Sequence, residues 1–170
     1  MDTRSLLRAQ FQQSHGFLDQ VIADVPQDAL DANLPGSTIN SIGATYAHIV
    51  FAEDTIFNGM VKKAAPIYGA WAERVGVPPA PGPMQTPEWA ASVKMNLPIF
   101  REYAKAVFEA TDAMLAGFSE AELASEFDTG FIGKMPLAQF LGGIGLYHVT
   151  GHSGEIAALK GVRGLKGLPF

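Results

Sequence analysis

The sequence predicts an all-α fold, a four-helix bundle with a long proline-rich crossover between its second and third helices. Three observations carry this expectation. Four long segments place apolar side chains at helical spacing. Six of the eleven prolines fall between Pro66 and Pro87, which marks that stretch as a connection. The chain has 170 residues, 48% of them hydrophobic, enough for one domain over residues 1–170 with a sizeable core.

The first helix is expected from Thr3 to Val25, where Leu7, Phe11, Leu18, Ile22 and Val25 form one stripe with Ser14 and His15 in its gap. Pro26 stops it. The second runs from Ile39 to Lys63, with Ser37 or Thr38 as N-cap, and is apolar around much of its circumference. The crossover follows, centred on VPPAPGPM, with at most a short helix around Ala70 to Arg74. Thr86-Pro87-Glu88 is a strong helix start, so the third helix is expected from there to about Ala116. Trp89, Val93, Tyr103, Val107, Ala110 and Met114 would face inward, and Pro98 would kink it. Ser119-Glu120-Ala121-Glu122 reads as a capping box, and FDTGFIGKM as strand-like or turn-like. The fourth helix should start at Pro136 and reach about Lys160, burying the stripe Leu137, Leu141, Ile144, His148, His152, Glu155 and Leu159.

Composition narrows the function. Twelve basic against seventeen acidic residues give a net charge of −5 with no basic face, which argues against nucleic-acid binding. The absence of cysteine removes disulfides, thiolate metal sites and cysteine nucleophiles. No apolar run is long enough to span a membrane and the N-terminus lacks a secretory apolar region, so a cytoplasmic protein without membrane attachment is expected. The charged fraction of 17% is low and leaves room for a dry interface, hence a homo-oligomer.

Four histidines remain as candidates for chemistry: His15, His48, His148 and His152. His148 and His152 are four residues apart, so both rings can reach one metal ion from one helix face. They could equally be neutral core histidines satisfied by Thr150 or Ser153. His48, mid-way along the second helix, could supply a third ligand and leave one position open, the pattern of a catalytic metal site. His15 could be a fourth ligand, a support for another ligand, or a packed core residue.

Glu155, one turn beyond His152, could orient an imidazole, act as a base beside the metal, or pair across a dimer contact. Glu53 and Asp54 are five and six residues after His48, offsets that turn them away from its face toward solvent or an interface. Five glycines, at positions 142, 143, 145, 151 and 154, sit in the fourth helix at a cost of about 1 kcal/mol each relative to alanine. Close helix crossing is the simpler reason, ligand clearance the other. The zinc-protease motif fails because Val149 stands where its glutamate is needed, and no Glu-x-x-His occurs for a carboxylate-rich di-iron site.

The segments ATYAHIVFAED and HVTGHSGEIAALKG, together with the ending GLKGLPF, resemble the DinB-like (DinB/YfiT-like) superfamily of metalloenzymes. The resemblance covers nearly the whole chain in helix order. It implies a four-helix bundle, a homodimer, and a divalent metal ion (zinc or nickel foremost) held by His48, His148 and His152. Family members with assigned activities are thiol-dependent S-transferases and isomerases. The implied function is therefore a metal-dependent thiol transferase, or a hydrolase, acting on a small-molecule substrate with a low-molecular-weight thiol; from its position one turn beyond His152, Glu155 would be the proton acceptor. The alternative is a non-catalytic metal-binding or stress-response dimer.

Overall fold

The computed structural model describes residues 1–81, 85–130 and 132–170. It is mostly helical, as the spacing of apolar residues requires. Helix α1 spans Thr3–Ile22, with Asp2 accepting from the Ser5 amide at its start. It ends before Val25, and a short helix α2, Gln27–Asp31, follows Pro26 at once. Lys160, fully buried, reaches across to the Val21 carbonyl at 2.7 Å and to Asp24, so a cation from the far end of the chain caps α1.

Helix α3 covers Ile42–Glu53 and continues without a break as a π-helical segment, Asp54–Val61. Its N-cap is Ser41, which accepts from the Ala44 amide, and not Ser37 or Thr38. Between its end and the next long helix lie α4 (Tyr68–Val75) and α5 (Pro87–Ser92). The centre of the proline run, residues 82–84, lies outside the described residues.

The expected kink at Pro98 is instead a new beginning. The chain leaves helical geometry after Ser92, and Asn96 caps helix α6, Leu97–Gly117, by accepting from the Ile99 amide. Pro98 then sits in the first turn, where its missing N–H costs nothing. Of the side chains expected inward, Ala110 alone is not fully buried. The capping box opens α7, Glu120–Ala124. FDTGFIGKM forms a two-stranded antiparallel ribbon, β1 (Glu126–Asp128) with β2 (Lys134–Pro136), Phe127 facing Met135. Phe131 lies outside the described residues.

The last long helix is again continuous but mixed in pitch: α8 (Leu137–Phe140), a π-helical segment (Leu141–Leu146) and α9 (Tyr147–Val162). Helix α1 packs against α6 and α9, and α3 packs against α9 and α6.

The core these helices enclose has two parts. One gathers Leu18, Tyr46, Phe51, Phe100 and Tyr103, the other Leu7, Phe11, Phe57, Phe140 and Leu141. Between them lies a polar layer. His15 follows Phe11 and precedes Leu18; Glu53 falls between Phe51 and Phe57; Thr111 falls between Val107 and Met114.

Candidate metal centre

The wider turn of a π-helix carries more residues than an α-turn. Through Leu141–Leu146 this keeps residues four apart in line, so the fully buried row runs Leu137, Leu141, Gly145, Val149 and Ser153. The expected row through Ile144, His148, His152 and Glu155 is displaced to its shoulder and only half-buried. The two imidazoles therefore border the core without being enclosed by it.

Helix α3 brings His48 to the same place, also half-buried. Nε2 of His48 and Nε2 of His148 are 2.8 Å apart. Ring centroids of the three histidines are separated by 4.6, 5.1 and 4.7 Å, each pair meeting edge to face. One nitrogen from each of the three rings lies within 4.8 Å of the other two. Neither hydroxyl suggested as a partner serves that purpose. Thr150 bonds back to the Leu146 carbonyl and Ser153 to the Val149 carbonyl.

Electrostatics suits a ligand role. Burial, helped by the neighbouring imidazoles, pushes His148 down to about 3. Burial and His152 push His48 down to about 4. Both rings are thus neutral at physiological pH, the form in which imidazole binds a metal. Glu155 accepts from Nδ1 of His152 at 2.6 Å, which directs the remaining nitrogen of that ring toward the other two histidines. The donor set fits a divalent ion of borderline softness.

These shifts set a pH dependence for the metal-free protein. An unfolded imidazole titrates near 6.5, so as pH falls from 6.5 toward 4 the unfolded chain takes up protons that folded His48 and His148 refuse. Their contribution is complete above that window and is lost through it. The carboxylates act lower: Asp112, held down by Arg8, and Asp24, held down by Lys160, lose their contribution only below about pH 4. Chelator-treated protein should therefore be less stable at pH 5 than at pH 7 in denaturant melts. Equal midpoints would contradict the neutral, buried assignment.

The remaining candidates fall elsewhere. His15 is not part of the triad; its Nε2 lies 3.0 Å from Glu53 Oε2 and its ring stacks on Phe108 at 3.9 Å. Glu53 and Asp54, expected to face solvent or an interface, are 3% and 1% exposed. Glu53 also accepts from Thr111, and Asp54 accepts from Asn58, the Ile67 and Tyr68 amides and Tyr103. Sequence offsets from His48 missed both, because α3 is packed on nearly every side and leaves no solvent face to turn toward. The glycines divide as well. A Cβ on Gly145 would stand 2.5 Å from Phe57, a true close approach, whereas Gly143, Gly151 and Gly154 have nothing within 4 Å. Helix crossing explains the first and none of these three.

A profile of the DinB superfamily matches residues 10–156, most of the chain and all three triad histidines. The chain belongs to the DinB superfamily. A solved structure described as the conserved protein of a locus from Enterococcus faecalis is similar in fold to this DinB-superfamily chain. The two share 19% identity, over 96% of this chain and 99% of that one, with a TM-score of 0.80. No curated protein matches the chain significantly. Among the described residues no helix is long and apolar enough to cross a membrane.

Proposed function

We propose that this chain is a divalent-metal protein of four-helix-bundle architecture, a single domain whose triad, His48, His148 and His152, serves a metal-dependent thiol transfer or hydrolysis. The observation that carries the reading is the convergence of three imidazole nitrogens within 4.8 Å from two separate helices. Zinc and nickel both suit such donors. A divalent ion held by three neutral imidazoles keeps its full charge and lowers the pKa of a bound thiol or water.

The chain's own residues do the rest. His48 and His148 stay unprotonated because they are shielded from water. Glu155 orients His152 through Oε2, and its other oxygen is left to accept a proton from an incoming nucleophile. No cysteine competes for the ion, so any sulfur must come from a small-molecule thiol. Elemental analysis of protein purified without a metal-affinity tag should find one divalent ion per chain. Thiol consumption with a panel of electrophiles should then depend on that ion. A metal-free, fully folded product that takes up no added zinc or nickel would defeat the reading.

A homodimer belongs to the same proposal. The outward face of α9 carries Gly151, Gly154 and Ala158 beside Tyr147, which is 73% exposed. A face so small and so poor in charge suits a second copy of the chain. Sedimentation should show a dimer at micromolar concentration, and a monomer with no self-association would remove this part.

A further inference from the structure

The buried polar layer contains one histidine that takes no part in the triad. His15 is 8% exposed, turns Nε2 toward Glu53 and lies flat against Phe108. Thr111 holds the other oxygen of Glu53. A carboxylate that accepts from Nε2–H leaves the neutral ring with its lone pair on Nδ1. That nitrogen has no partner among the described residues, and it is not one of their sealed, unsatisfied atoms, so it keeps contact with solvent.

His15 lines a groove of about 700 Å³ that runs between α1 and α6. Small-molecule sites span roughly 300–1,000 Å³, and like them this groove has mainly apolar walls, here Phe11, Pro98, Ala104 and Phe108. The charged side chains along it already have counter-charges: Asp19 with Arg101, Asp112 with Arg8, Glu102 with Arg74, and Lys105 with Glu109. None is left over to pair with a charged ligand. Gly16 stands on the α1 wall, and a Cβ there would meet nothing within 4 Å. Close packing does not ask for glycine in this helix interior, where it costs stability relative to alanine. Its missing side chain keeps the groove clear beside His15. The triad lies elsewhere in the bundle, where α3 meets α9.

We propose that the groove is a second binding site, for an uncharged, largely apolar small molecule that donates one hydroxyl to Nδ1 of His15. Glu53 fixes which ring nitrogen carries the proton, so His15 presents the groove with an acceptor. A carboxylate ligand has no proton to give there, and an ammonium would find no free counter-charge on the walls. The site does not depend on the triad holding a metal.

The test uses the full chain, with phenol as the probe. In ¹⁵N NMR His15 should be the Nε2–H tautomer, and phenol at millimolar concentration should shift its Nδ1 resonance saturably. Chelator should not change this, and benzoate and benzylammonium should not reproduce it. Gly16→Leu fills the groove from a position with open space around it, so it should fold and abolish the response. His15→Phe keeps the aromatic stack and removes the acceptor. It should weaken phenol about 3–10-fold more than it weakens toluene. An Nδ1–H tautomer, no saturable shift, a shift that needs bound metal, benzoate binding as well as phenol, or an undiminished response in Gly16→Leu would each overturn the proposal. So would a dimer that Gly16→Leu dissociates, because a second copy would then occupy the groove. Should His15→Phe fail to fold, the wild-type tautomer and Gly16→Leu decide.

Discussion

Replacing His148 and His152 together with alanine is expected to abolish stoichiometric metal binding and leave a folded chain. Two of three donors disappear, and a lone imidazole on α3 does not hold a divalent ion tightly. The fold survives because both rings sit at the edge of the core, with Val149 and Ile156 filling its interior beside them. Thermal melts add a second reading. A ligand that binds the native state alone stabilises it by about 2.7 kcal/mol at a hundredfold excess over Kd. Chelation should therefore lower the Tm of the wild type and leave that of the double variant unchanged. One tightly bound ion per chain in the double variant would rule out this assignment of the site.

The largest loss of stability is expected at a residue with no part in metal binding. Asp54 is 1% exposed and accepts four hydrogen bonds of 2.8–2.9 Å, from the Asn58 amide, the backbone of Ile67 and Tyr68, and the Tyr103 hydroxyl. It ties the chain leaving the second long helix to α6. Burial and the Asp54 charge beside it push the Tyr103 phenol well above its usual range, which keeps it a donor. Asp54→Ala strands these donors together and should cost about 3–5 kcal/mol, a large part of the ~5–15 kcal/mol that holds a typical domain. Asp54→Asn should cost less, because the amide keeps one acceptor oxygen, although its nitrogen then faces the donating Tyr68 amide. Urea denaturation measures both. A loss below about 1 kcal/mol for the alanine variant would show that the network contributes little.

The contrast between these two sites shows what the sequence made legible. The histidine pair announced itself by its four-residue spacing, and His48 by its place on a small and largely uncharged helix face. The capping box at Ser119 and the proline at position 87 marked helix starts because each acts through its immediate neighbours. Asp54 gave no such signal. Three of its four partners come from 13, 14 and 49 residues away, distances at which no local pattern operates. Pro98 misled for a related reason. A proline in a helical stretch can kink it or open a new helix, and the choice was made by Asn96 capping two residues earlier. The half-burial of the triad was hidden because a constant 3.6-residue period cannot follow a change of pitch.

That change of pitch has a further consequence. The last long helix behaves as two shafts coupled at Leu141–Leu146, one carrying Leu137 and Phe140 into the core, the other carrying the histidines. Their relative setting depends on how many residues the coupling contains. Removing one, Gly143 for instance, would relax the segment to ordinary pitch and turn the second shaft by about 100° against the first. His148 and His152 would leave the orientation in which they meet His48. The centre is indexed by a length of backbone, so a one-residue gap there would be more damaging than most substitutions along the same stretch.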